Sequence, residues 1–223
     1  MKAELLNIFG DDLMIVNAAR VSYGKTKSEL DEKDIKLLKY LRNHKHTSPF
    51  RHPQLQFRLH VPIFVERQLF KHQVGLNANS ISGRYVDFSD SYYYPDKWRL
   101  QSKDSKQGSS LDLFPDNSTI EFNQYYESFI DDCKRFYKNM IENGIAKEMA
   151  RMILPLSLYT TFIWTGSLQA YLHLFELRLK PDAQKETNEI ASQMLELVRQ
   201  TGKFNHTLNA WGYDRIVDNG DMI

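Results

Sequence analysis

Residues 54–61 alternate without a break. Leu55, Phe57, Leu59 and Val61 point one way, and Gln54, Gln56, Arg58 and His60 point the other. A period of two predicts a strand with one core face and one polar face. Pro62 follows at once and suits the first turn of a helix, where its missing N–H costs nothing. The spacing predicts that helix over 62–74. Around this unit the pattern predicts a short strand over 5–8 and a helix over 11–19 that begins near an acidic pair. A charged, mobile segment follows up to about residue 29. A helix over 34–41 is next, with Ile35, Leu38 and Leu41 at helical spacing, and then an imidazole- and proline-rich loop over 44–53.

Ser118 and Glu121 form the capping box of a long helix. Its apolar stripe runs through Phe122, Tyr125, Phe129, Cys133, Phe136 and Met140, and Asn143-Gly144 ends it. Further along, the chain predicts a short helix over 146–153, a strand over 158–165 and helices over 167–177, 182–199 and 205–211, the second of these capped by Asp182. Residues 87–110 form a long excursion whose second half, 101–110, is a surface loop, and 214–223 is a loose tail. Strands separated by helices of uneven length predict one α+β domain over 1–223, not a regular βαβ series.

The 223 residues suffice for one sizeable core. A formal net charge of +1 supplies no global pull toward nucleic acid, so any anion site must be local. The lone Cys133 excludes an internal disulfide framework and a cysteine-based metal cluster within one chain, and it fits a reducing, cytoplasmic setting. No stretch approaches 18 uninterrupted apolar residues, so no membrane span is expected. The chain lacks Gly-x-Gly-x-x-Gly, Gly-x-x-x-x-Gly-Lys-Ser/Thr and His-Glu-x-x-His.

The chemistry concentrates in residues 67–85. On the expected helix Arg67 and Lys71 share one face, and Gln68 and His72 the next. Asn79, Ser80, Ser82, Gly83 and Arg84 follow in a polar loop, and Arg84 can grip a phosphate bidentately where Lys71 cannot. Such a surface holds a polyanion, or it is simply a solvated helix face; spacing alone leaves both open. Ser82 with His72 as base lacks the Gly-x-Ser-x-Gly elbow of a hydrolase. His44, His46, His52 and His60 cluster in sequence, but no acidic partner lies within 45–53, which disfavours zinc. Arg151 stands three residues after Glu148, either as a local ion pair or aimed at a ligand. His173 and Arg178 flank the end of the helix over 167–177.

These blocks, in this order, resemble the flavin-dependent thymidylate synthases, the ThyX family. Lys71-His72-Gln73 followed by Ser82-Gly83-Arg84-Tyr85 resembles the family's Arg-His-Arg signature and its Ser-Gly-Arg-Tyr continuation. Ala18-Ala19-Arg20-Val21-Ser22, His46-Thr47-Ser48-Pro49-Phe50, Ala150-Arg151 with Leu154-Pro155-Leu156, and Leu177-Arg178 with Ala183-Gln184-x-Glu186 resemble four further blocks. The resemblance runs from about residue 13 to 211. It implies a mainly antiparallel central sheet flanked by helices. It implies reductive methylation of dUMP to dTMP, with methylenetetrahydrofolate as carbon donor, reduced FAD as hydride source and NADPH recharging the flavin. Gln68, Lys71, Ser82, Gly83, Arg84, Arg151 and Arg178 are then the dUMP ligands, and Arg178 also acts in catalysis. Ser22, His46, Ser48, His72, Val74, Asn79, Ser167, Gln169 and His173 are the FAD contacts. A cytoplasmic homotetramer with shared active sites is implied, with no metal, nucleic acid or membrane partner.

The chain departs from the family pattern in places. Lys71 and Gln73 replace arginines, and eight residues instead of seven separate Gln73 from Ser82. Ser80 replaces a glutamate, and Arg51 stands where an acidic residue is common. Ser167, Gln169 and His173 replace Asn, Arg and Asn, and Asp182 takes a histidine position. Two alternatives follow: a degenerate homologue that binds nucleotide or flavin without turnover, and a general anion- or RNA-binding module.

Overall fold

A computed structural model describes residues 1–85, 91–103 and 109–213. The strand read from alternation is β2, Gln54–Pro62. It lies inside a four-stranded antiparallel sheet of order β1-β2-β6-β3, with β1 at Lys2–Phe9, β6 at Tyr159–Ser167 and β3 at Leu76–Ser80. Leu55, Phe57, Leu59 and Val61 are fully buried, and across the ladder Phe162 and Trp164 on β6 join them. Helices cover this face. Those are α1 (Asp12–Arg20), α2 (Glu32–Asn43), α3 (Ile63–Leu69), α6 (Leu168–Arg178), α7 (Lys185–Gln200) and α8 (Asn205–Trp211), all contributing to one core. The opposite face stays polar, with Gln56 donating to Thr165 Oγ1 at 3.0 Å and Arg58 paired to Glu4 at 3.0 Å. The α+β class and the antiparallel sheet expected from the sequence are therefore present.

Several local expectations change. The helix expected over 62–74 is α3, and it stops at Leu69. Pro62 ends β2 and caps α3 from outside, with extended backbone. Lys71 and His72 lie in the turn that follows, so the shared faces inferred for Arg67 with Lys71 and Gln68 with His72 do not exist. Gly75 at φ +75° reverses the chain into β3, which the sequence reading placed partly in a loop. The segment after α1, expected to be mobile, is tied down. Asn17 exchanges two 2.9 Å bonds with the Lys27 backbone, and Lys27 Nζ reaches Asp31 and Asp34.

Elsewhere β4 (Arg99–Gln101) pairs with β5 (Ser109–Leu113), so 101–110 is not simply a surface loop. The long helix α4 spans Asp116–Glu142, and α5 covers Lys147–Ala150 before a 3₁₀ turn at Arg151–Ile153. Pro115 precedes α4, so Ser118 lies inside the helix and is no cap. Asp182 also makes no cap, because α7 begins after Gln184. The expected α4 stripe faces outward, with Phe122 52%, Tyr125 68%, Phe129 56% and Phe136 55% exposed, while Ile130 and Cys133 turn inward. Parts of the 87–110 excursion and the whole 214–223 tail fall outside the described residues. Among the described residues no helix is long and apolar enough to cross a membrane, and no cluster of three metal-ligating side chains forms.

Asp34 anchors the α1–α2 corner. Fully buried, it accepts from Arg20 Nε at 2.9 Å, Lys27 Nζ at 2.7 Å and its own capping partner's backbone, Asp31 N, at 3.0 Å. Burial opposes its charge, but Lys27, Asp31 N–H and Arg20 win, and its pKa falls from 3.8 to about 2. A folded pKa below the unfolded one adds stability above 3.8 that disappears as pH falls toward 2. Urea melts are therefore expected to weaken between pH 5 and pH 2.5. Asp34→Asn should lower stability at pH 5 and flatten that decline; an equally steep decline would refute Asp34's share.

Candidate functional site

The end of α6 meets the turn after α3. Arg178, the last residue of α6, donates from Nε to His72 Nε2 at 2.9 Å. Burial, the Arg178 charge and His173 together push the His72 pKa down from 6.5 to about 4. The imidazole is therefore neutral near pH 7, and since Nε2 accepts, Nδ1 carries its proton. Burial also lowers the Arg178 pKa, yet an arginine stays charged at neutral pH. The His173 ring lies 6.0 Å from that of His72, edge to face. The pair thus offers a cation whose orientation is set by a neutral ring.

The N-terminal end of α6 closes the same region. Ser167 caps the helix by accepting from Ala170 N at 3.3 Å. Ala170 and Ser167 also line Gly75, which carries the turn past α6. One turn before His173 on α6, Gln169 has its Oε1 buried with no hydrogen-bond partner. A buried acceptor without a donor is costly, and a ligand imide or amide N–H would relieve it. Val74 in the turn and Asn79 on β3 are both exposed, and Asn79 pairs in register with Ile163.

Gln68 sits half-buried on α3. Its Nε2 donates to Gln184 Oε1, and its Oε1 accepts from Thr187 Oγ1 at 3.0 Å. Lys71 is exposed just after it. The Ser82–Arg84 turn is a separate feature. Ser82 Oγ accepts from Arg84 N at 3.3 Å and Nε at 3.5 Å, Gly83 is buried, and the Arg84 guanidinium rests 5.2 Å over the Tyr85 ring. Beside it, Ser80 Oγ donates to Glu66 Oε1 at 2.8 Å. Glu66 on α3 thereby brings a carboxylate to the place where the signature has lost one, and burial raises its pKa.

The remaining candidates lie on other elements, with the Ser48 turn packed on α6. Ser22 is exposed in the 3₁₀ turn Val21–Tyr23, and Ser48 opens the 3₁₀ turn Ser48–Arg51. The exposed His46 ring lies 6.1 Å from Tyr40 and 6.4 Å from His44. Arg151 Nε donates to the backbone oxygen of Glu148 at 3.4 Å, so of the two readings open for it the ion pair with the Glu148 carboxylate is not formed. Among the described residues no hydrogen bond joins Ser22, His46, Ser48, Arg151 or the Ser82–Arg84 turn to the Arg178–His72 pair. The sequence reading missed the roles of Glu66, Gln184, Glu186 and Thr187. Gln184-x-Glu186 was visible as a block without an assigned task, while Glu66 and Thr187 carried no signal.

Residues 4–201 match the family model described as thymidylate synthase complementing protein. A flavin-dependent thymidylate synthase of Thermus thermophilus is 39% identical over 196 residues, covering 88% of this chain and 70% of the relative. One from Kosmotoga olearia is 38% identical over 195 residues, covering 87% and 84%. Among solved structures, the UMP/dUMP methylase PolB of Streptomyces cacaoi bound with 5-Br dUMP is similar at TM-score 0.83 and 28% identity, covering 95% of this chain and 94% of that one.

Proposed function

We propose the reaction from the premise that this chain belongs to the thymidylate synthase complementing protein family, the flavin-dependent thymidylate synthases. It is a flavin-dependent methyltransferase acting on dUMP. Methylenetetrahydrofolate serves as carbon donor and NADPH as the reductant that recharges the flavin. The observation that carries the reading is the Arg178–His72 pair at 2.9 Å, with Gln169's unpaired acceptor on the same helix. A flavin fits this set, because its ring carries an imide N–H, the kind of donor that Gln169 Oε1 lacks. When bound, the flavin supplies the hydride that the side chains lack. Gln169, His173, His72 and Val74 would hold it, with Asn79, Ser167, Ser22, His46 and Ser48.

The chain's own contribution is electrostatic. C5 of a uracil is a poor nucleophile until negative charge can spread onto the ring carbonyls. A charged Arg178 beside that ring stabilises the charge as it develops, and the neutral His72 holds the guanidinium in place without adding a second cation. Gln68 orients the ring. Lys71, Ser82, Gly83, Arg84 and Arg151 bind the nucleotide, chiefly its phosphate. Ser82 is a ligand, not a nucleophile, since hydride chemistry needs no serine attack. Among the described residues no hydrogen bond ties Arg151 or the Ser82–Arg84 turn to the Arg178–His72 pair, and α4 exposes an aromatic stripe. Both features support a homotetramer whose sites draw on neighbouring subunits.

Purified protein with FAD, NADPH, methylenetetrahydrofolate and dUMP should form dTMP, and omission of any one should stop it. Bound flavin without product would favour a degenerate binding homologue instead. Retention of RNA without nucleotide selectivity, falling steeply with salt, would point to an anion-binding module.

A further inference from the structure

Glu186 lies outside the reaction described so far. It is 3% exposed on the first turn of α7. Its Oε1 accepts from Arg99 Nη2 at 2.7 Å and from the Tyr93 hydroxyl at 3.1 Å. Its Oε2 accepts from Gln184 Nε2 at 2.9 Å. Burial opposes the Glu186 charge, but Arg99, its own backbone N–H and Gln184 hold its pKa below the usual range, so it is a carboxylate at neutral pH.

An ionised carboxylate only accepts hydrogen bonds, whereas each amide has a donating and an accepting end. Gln184 must therefore turn its NH₂ toward Glu186, which leaves its carbonyl facing Gln68. Gln68 must in turn present its NH₂ to Gln184, and its carbonyl then receives the Thr187 hydroxyl. One fixed charge sets the direction of two amides in series. The second hydrogen on Gln68 Nε2 remains to meet a ligand acceptor. A cavity of about 320 Å³, lined by Phe64, Tyr93, Trp98, Arg99, Gln184 and Glu186, lies on the Arg99 side of the network. The carboxylate thus joins the 91–103 segment to α3.

We propose that Glu186 is a positioning residue for the pyrimidine nucleotide: through Gln184 it fixes the Gln68 amide so that an N–H meets a ring carbonyl. The inference rests on the reading of Gln68 as a dUMP ligand. With Gln at 186 the side chain has a donating end of its own, so both amides can invert and Gln68 can turn its oxygen to the ring, repelling the carbonyl it should bind.

The test uses the full-length FAD-loaded enzyme and measures KM for dUMP, kcat and melting temperature for Gln68→Ala, Gln184→Met and Glu186→Gln. Gln184→Met cuts the relay while leaving the Arg99–Glu186–Tyr93 contacts whole, which separates relay from fold. Each variant is expected to raise KM about tenfold, the loss of one hydrogen bond, with kcat within about threefold. The Gln184→Met, Glu186→Gln double variant should be no worse than either single one, because both break one relay. A raised KM in Gln68→Ala with unchanged KM in the other two would overturn the relay and leave Gln68 a ligand. An unchanged KM in Gln68→Ala would overturn the ligand reading itself. A fall in melting temperature and kcat at Glu186→Gln without a KM change would reduce Glu186 to a structural part and also overturn the proposal.

Discussion

Replacing Arg178 with alanine is expected to lower kcat by about 10²–10³-fold, the range for removing one donor aimed at charge that develops in a transition state. Arg178 closes α6 and its Nε is held by the neutral ring of His72, so its Nη groups are the part left to face a ligand. Stability should change little. A cation at a helix C-terminus contributes about 0.3–1 kcal/mol, and its loss leaves no buried acceptor stranded except His72 Nε2. Arg178→Lys is expected to fail nearly as badly, because an ammonium cannot hold the planar contact to His72 and face the ring together. Steady-state dTMP formation and the single-turnover rate of flavin reoxidation, each at saturating dUMP, check this. A variant that folds, binds flavin and turns over at the parent rate would remove Arg178 from the chemistry.

The parts of this molecule that were legible in the sequence are those governed by burial. Leu55 to Val61 alternate because one face of β2 must exclude water, and that pattern needs no knowledge of neighbours. The edge strand β3 was hard to see for the opposite reason. Leu76-Asn77-Ala78-Asn79-Ser80 is mostly exposed, and it is a strand because its backbone pairs with β6 from Leu76↔Gly166 to Ser80↔Phe162. No hydrophobic period records such pairing. The early end of α3 follows from it, since the chain must reverse at Gly75 to reach the sheet edge.

The site divides in the same way. His72 and Arg178 are 106 residues apart, and no local spacing brings them together. Only the order of blocks shared with a family suggested that they serve one centre. Glu66 was invisible for a further reason: a carboxylate in the first turn of a helix reads as a favourable dipole partner. Its bond to Ser80 across 14 residues appears only once β3 is laid beside α3.

Gly166→Ala should show how strictly that edge strand places the site. A Cβ at residue 166 would stand 2.4 Å from the Gly75 backbone oxygen and 2.5 Å from Leu76 Cδ2. Leucine can turn aside, but the carbonyl cannot without loosening its 3.2 Å bond from Ser167 N. Gly75 itself sits at φ +75°, so the turn has little freedom to absorb the push. The strain must pass into the 71–75 turn that carries His72, or into the start of β3 that leads to Ser82. Overpacking of this kind costs about 1–3 kcal/mol. A displacement of about 1 Å in a positioning group is worth about 100-fold in rate. Gly166→Ala is therefore expected to melt several degrees lower and to lose about 100-fold in kcat/KM for dUMP, with weakened flavin binding. The loss of activity should exceed what the fraction unfolded explains, because the damage lies in geometry. Parent-like melting and parent-like activity would mean that β3 and its turn can shift freely, and that the Arg178–His72 contact does not depend on the close approach of residues 75 and 166.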